Sequence, residues 1–179
     1  MLPDKLGAAF EALSQGRHVC ATDSDLFRDL QERTEDYKQV FSALGFRLDH
    51  DARGFFYFHG SAGGLAQDSE RIALFMFILV DWLNDKGEGL DALFGRAFTL
   101  DDLPHMASDR YRGYLRQTGV EDAEGLRKVV SRMAKFGFAD DQGGGRFRFL
   151  PPIHRLLDAC IEMAARLDAR NEGENGSDL

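Results

Sequence analysis

Histidine and cysteine are the side chains of this chain best suited to holding a metal, and their spacing does not suit one. His18, His50, His59, His105 and His154 form no His-x-x-x-His pair, and Cys20 and Cys160 stand far apart. A structural or catalytic metal needs several such donors in short-spaced pairs, so each histidine reads as a surface or packing residue. No serine sits in a nucleophile elbow. Gly143-Gly144-Gly145 lacks the Lys-Ser/Thr that completes a phosphate loop, and it falls between two expected strands, where a turn is its role. Asp101-Asp102 and Asp140-Asp141 are adjacent pairs. On a helix or strand such neighbours point apart, which is poor for shared acid–base work. These types and spacings give no catalytic residue, no metal and no cofactor, and a non-enzymatic chain is expected.

Two other sets of residues point to binding. Residues 110–155 carry 10 basic against 5 acidic side chains, whereas residues 1–90 carry 9 against 15. Within the basic stretch, Arg127, Lys128, Arg132 and Lys135 fall on one expected helix, and Arg146 and Arg148 alternate on an expected strand. Together these six are the candidate DNA contacts, since clustered cations meet phosphate oxygens. The second set is aromatic. Phe55, Phe56, Tyr57 and Phe58 are consecutive, so as a strand they place apolar rings on both faces. A two-stranded ribbon buries only one face on its own helices, so the other face needs the second half of the chain or a partner. Phe75, Phe77 and Trp82 belong to a helix apolar nearly all round, which also needs cover. These seven are the candidate partner or dimer contacts.

The elements that position these residues occur twice. Ala43-Leu44-Gly45-Phe46 followed by Gly54-Phe55-Phe56-Tyr57-Phe58 recurs as Lys135-Phe136-Gly137-Phe138 followed by Arg146-Phe147-Arg148-Phe149-Leu150. An ungapped offset of 92 residues places Gly45 on Gly137, Phe46 on Phe138, Phe55 on Phe147 and Tyr57 on Phe149. Each copy reads as a helix stopped by glycine, then a hairpin, which is the closing half of a winged helix. The expected fold is mainly α with small β-hairpin wings (α+β): two tandem winged-helix domains plus a C-terminal helix. Residues 1–60 form the first domain, 61–67 a Gly-rich linker and 68–150 the second domain. Residues 151–170 form the last helix and 171–179 a flexible tail. In the first domain Tyr37, Phe41 and Leu44 share the inner face of a helix capped by Thr34. In the second, Leu126, Val129 or Val130, Met133 and Phe136 do the same. Thr99 to Asp102 reads as a helix start with a capping box.

Composition limits the classes. With 179 residues, 44% hydrophobic and 29% charged, this is an ordinary globular chain able to bury one or two modest cores. A net charge of −8 argues against coating nucleic acid by charge alone. The longest apolar run, Ile72 to Val80, ends at Asp81. It falls well short of the about 20 residues a membrane span needs, so no membrane association is expected. The two distant cysteines fit a reducing cytoplasm.

Gly16-Arg17-His18-Val19, Phe27-Arg28-Asp29-Leu30, Tyr37, Leu44-Gly45-Phe46 and Arg53-Gly54-Phe55-Phe56-Tyr57-Phe58 occur in this order. The apolar helix from Ile72 to Trp82 and Phe136-Gly137-Phe138 follow. In order and texture, over about residues 5–165, the chain resembles the MksE/MukE group of bacterial condensin subunits, and within it the shorter MksE type. These are tandem winged-helix "kite" proteins. The resemblance implies a cytoplasmic, nucleoid-associated homodimer that binds a kleisin (MksF-like) and through it an SMC ATPase (MksB-like). It implies a role in chromosome condensation and partition or in plasmid defence, with DNA met in the context of the complex. The alternative from the same residues is a dimeric winged-helix transcriptional regulator. Glu35 and Asp36 on its first candidate recognition helix count against that reading.

Overall fold

The computed structural model describes residues 2–60 and 65–158. Helix α1 (Leu6–Ser14) leads to strand β1 (Val19–Cys20), helices α2 (Ser24–Glu32) and α3 (Thr34–Ala43), and a hairpin of β2 (Leu48–Asp51) and β3 (Phe55–Phe58). Helix α4 (Leu65–Asp85) opens the second half. Strand β4 (Phe98–Thr99), helices α5 (Asp109–Gln117) and α6 (Ala123–Lys135) and a hairpin of β5 (Ala139–Gly143) and β6 (Arg146–Phe149) follow. Residues 153–158 are again helical. The chain is therefore mainly helical with two small antiparallel sheets. Both sheets have three strands in the same order, β1-β3-β2 and β4-β6-β5. Of the expected linker 61–67, residues 65–67 already belong to α4, while 61–64, the rest of the expected C-terminal helix and the tail lie outside the described residues. Among the described residues no helix is long and apolar enough to cross a membrane.

The two halves are built alike down to their caps. In each, a short strand runs into a 3-10 turn whose third residue is an aspartate. Asp23 accepts from the Cys20 N–H at 3.0 Å and Asp102 from the Thr99 N–H at 2.7 Å. The capping box expected at Thr99 is present, but it starts the turn Leu100–Asp102 rather than a long helix. Strand β4, just before it, has no two-residue alternation long enough to announce itself and was not anticipated.

Strand pairing corrects the ungapped repeat. Leu48 pairs with Phe58 and Val19 with Phe56; the counterparts are Ala139 with Phe149 and Phe98 with Phe147. The hairpins thus correspond at an offset of 91, while the helix ends keep 92: the Phe46 N–H donates to Phe41 O, and Phe138 N–H to Met133 O. One residue is dropped between the glycine and the first strand of the second hairpin. A one-residue slip exchanges the faces of a strand. Phe56 therefore matches Phe147, Phe58 matches Phe149, and the outward pair Phe55 and Tyr57 matches Arg146 and Arg148.

Each half packs its own core. Ala9, Leu13, Val19, Leu30, Tyr37, Phe41, Leu48, Phe56 and Phe58 fill the first. The second gathers on α4 through Ile72, Phe75, Met76, Ile78, Leu79 and Leu83. It meets Leu126, Val129, Val130 and Met133 of α6 and Phe147 and Phe149 of β6. Both valines of α6 are buried, so its inner face is wider than a single stripe.

Candidate interaction surfaces

The outer face of the β3 ribbon is covered by the second half of the chain. Phe55 is buried with Cys20 and Leu150, and half-buried Tyr57 packs against them. The Arg155 guanidinium lies 3.8 Å over the Tyr57 ring. His18 sits at the centre of this junction and is 3% exposed. Its N–H donates to Phe136 O at 3.0 Å, and its Nδ1 lies 3.2 Å from the same oxygen. Its Nε2 lies 2.7 Å from Arg155 Nη1. A carbonyl only accepts and a guanidinium only donates, so the ring is neutral with its proton on Nδ1. Burial, and then the Arg155 charge, hold its pKa down at about 4. Arg53 adds a second tie, reaching Asp51 at 2.9 Å and Asp158 at 2.6 Å.

Of the seven aromatic candidates for a partner surface, four are spent inside the chain. Phe55, Phe56 and Phe75 are fully buried and Phe58 nearly so. Tyr57 lies under Arg155, and Trp82 is half-buried with Lys86 Nζ 3.8 Å from its ring centre. Phe77 is 51% exposed, with the exposed Tyr114 of α5 beside it at 6.3 Å between ring centres. Sequence could not separate Phe75 from Phe77, because α4 is apolar on nearly every side.

The six basic candidates divide among three places. Lys128, Arg132 and Lys135 line an open groove of about 740 Å³ between the start of α4 and the exposed side of α6. Arg127 and Arg146 line a smaller hollow of about 170 Å³ beside the triglycine turn. Arg148 stands on the outer face of the β6 ribbon. Three of the six already meet carboxylates: Arg127 with Glu124 at 2.6 Å, Arg132 with Asp68 at 3.4 Å and Arg148 with Asp140 at 3.0 Å. Such exposed pairs are worth about 0–1 kcal/mol. Lys128 and Lys135 form no ion pair among the described residues. Arg146, which forms none either, still lies near enough to Asp102 to help the Thr99 N–H hold its carboxyl below the usual range.

Two buried histidines are the polar features that spacing alone did not reveal. Besides His18, His105 is fully buried, and its Nε2–H donates to Phe75 O at 2.9 Å. Its ring stacks on Phe75 at 4.1 Å, and its Nδ1 has no partner. Burial pushes its pKa down to about 4. Among the described residues no group of three or more His, Cys, Asp or Glu side chains could hold a metal ion.

No curated protein matches the chain. A family described as condensin complex protein MksE matches residues 4–161, which takes in both sheets, both cores and the junction around His18. Through this match, which runs over most of its length, the chain belongs to the MksE family of condensin complex proteins.

Proposed function

We propose that the chain is a non-catalytic, kleisin-binding subunit of an SMC complex of the MksB-MksE-MksF type. It acts in chromosome condensation and segregation or in plasmid defence, in the cytoplasm and at the nucleoid. Its two halves are tandem winged-helix modules, and two copies form the working dimer. The single observation that carries this reading is the family match over residues 4–161. The recurrence of one sheet order in both halves supports it. Binding is then interface chemistry in which a few aromatic anchors supply most of the energy, and Phe77, already half bare, is the foremost of them. DNA contact within the complex falls to the second ribbon, where Arg146 and Arg148 occupy the face that Phe55 and Tyr57 occupy in the first. Arg127 stands beside them.

Reconstitution tests this. The purified chain should run as a dimer in light scattering and should recover a kleisin and a coiled-coil ATPase from native cells. A chain that stays monomeric across micromolar concentrations and recovers only promoter DNA would replace this reading with that of a regulator.

A further inference from the structure

We propose that the contact between the two halves around His18 is a proton-operated latch, which opens when the His18 ring is protonated while both cores stay folded. His18 belongs to the first half, and its ring is held from three directions. Strand β3 supplies Phe55 and Tyr57, the latter stacked on the ring at 5.7 Å. Residues 136–138 supply the Phe136 carbonyl and the Phe138 ring at 4.7 Å. The last helical turn supplies Arg155, 2.7 Å from Nε2. Arg155 is thus the charged group that faces the ring, and Tyr57 the other titratable one. The charges nearby are turned elsewhere. Arg17 pairs with Asp23 at 2.6 Å and Asp158 with Arg53 at 2.6 Å, and the His154 ring stacks on Phe94.

A second proton has only Nε2 to occupy, because Nδ1–H already donates to Phe136 O. It would set an N–H against the Arg155 N–H and two positive charges at hydrogen-bond distance, away from water. Parting the halves removes both penalties. Little else opposes it. The buried apolar contact of the junction is Cys20, Phe55 and Leu150 with Tyr57 beside them, far smaller than either core. Its other ties, Arg155 over Tyr57 and Arg53 with Asp158, are polar and can be replaced by water. Regions with few buried apolar contacts open before the rest of a fold. Burial and Arg155 hold the closed ring at about 4, against 6.5 in the open form. Opening therefore takes up a proton between these values. It is insensitive to pH above about 6.5 and gains about tenfold per pH unit below it. His105 has the same lowered value but lies inside the second core, so it gains a proton only when that core melts.

Cys20, buried at the junction, reports the opening. In the full chain carrying Cys160→Ser it is the sole thiol. Its reaction with a pyridyl disulfide is followed from pH 7.5 to pH 5.5, each rate divided by that of the urea-unfolded chain at the same pH. The normalised rate should rise about tenfold, with circular dichroism unchanged and the amides of α4 and α6 still protected from hydrogen exchange. Adding His18→Gln removes the titrating ring and should make the normalised rate independent of pH, whether that junction is tighter or looser. A flat profile in the chain that keeps His18 would overturn the latch, as would a His18→Gln variant that keeps the tenfold rise. A rise of about a hundredfold with loss of amide protection would also overturn it, because His18 and His105 charging together, at about tenfold each, means that the whole chain unfolds.

Discussion

Replacing Gly137 with alanine should damage the protein far more than replacing its repeat mate Gly45, although both end a helix in the same left-handed conformation. Their φ angles are +76° and +82°. For alanine, that conformation costs about 1–2 kcal/mol, and at Gly45 nothing lies within 4 Å of the added Cβ. Gly45→Ala should therefore lose about that amount. At Gly137 the added carbon would stand 2.3 Å from the carbonyl oxygen of His18, a contact that backbone cannot tolerate. Residue 18 must then move away from residues 136–137. The bonds from the His18 N–H and ring to Phe136 O depend on that approach. Two hydrogen bonds at about 1 kcal/mol each bring the total for Gly137→Ala to about 3–4 kcal/mol. That is a large share of the roughly 5–15 kcal/mol typical of a folded domain. Urea unfolding followed by circular dichroism measures both. In thermal melts, at about 2–4 °C per kcal/mol for this chain length, Gly137→Ala should fall by roughly 10 °C and Gly45→Ala by less than half as much. Equal losses in the two variants would refute the claim that the halves are joined through this contact.

The remaining predictions concern protons, packing and the junction cation. His18 and His105 have pKa values lowered from 6.5 to about 4, so the unfolded chain binds their protons first as pH falls. Neither ring affects stability above about pH 6.5. Each should remove up to about 3 kcal/mol as pH drops to about 4, and NMR titration of the two rings should show midpoints below 5. Phe75→Ala should cost about 3–5 kcal/mol as a cavity in the second core, whereas Phe77→Ala should cost under about 1 kcal/mol. Thermal melts compare the two, and sedimentation with the kleisin should show Phe77→Ala as the weaker binder. Arg155→Gln removes the charge over Tyr57 and beside His18. It should cost about 1–2 kcal/mol and shift the His18 ring titration upward, which the same NMR experiment reads.

Elements with long periodic patterns were legible from the residues, and short ones were not. The inner faces of α3 and α6 could be named through Tyr37 and Phe41, and Leu126 and Met133, at helical spacing. Leu44, however, expected beside Tyr37 and Phe41, lies past the end of α3 and is exposed, and Thr34, expected as its cap, is its first residue and donates back to Leu30 O. The hairpins could be placed because Gly54 and Gly143 to Gly145 each stand just before an aromatic-rich strand, Phe55 to Phe58 in one and Phe147 with Phe149 in the other. Strand β4 is two residues long and carries no period at all. The repeat was visible, but its register was not: a dropped residue between Gly137 and β5 leaves most of the matching letters in place while exchanging the faces of the ribbon. His18 shows the same limit in another form. Its partners lie 118 and 137 residues away, so nothing in its neighbourhood separates a junction histidine from a surface one. The ion pairs that quiet Arg132 and Arg148 depend on Asp68 and Asp140 lying alongside. A count of basic residues on one helix or strand cannot register them.

The corrected register changes what the duplication means. Both ribbons bury one aromatic pair in their own core, Phe56 with Phe58 and Phe147 with Phe149. They differ on the other face. In the first ribbon that face is Phe55 and Tyr57, and the chain covers it with its own Leu150 and Arg155. In the second it is Arg146 and Arg148, which stay in solvent. A two-stranded ribbon gains its strongest contacts where apolar rings leave water, so the first ribbon is already committed to holding the two halves together. Exposed on the second half are the charged second ribbon and Phe77, while the first half keeps Leu44 at 60% exposure away from its own ribbon. Charge reversal at Arg146 and Arg148 should therefore leave the melting temperature unchanged. Phe55→Arg, which would make the first ribbon resemble the second, should separate the halves, lower the melting temperature and expose Tyr57 to solvent quenchers. A stable Phe55→Arg variant with Tyr57 still protected would show that the halves are joined by something other than this ribbon.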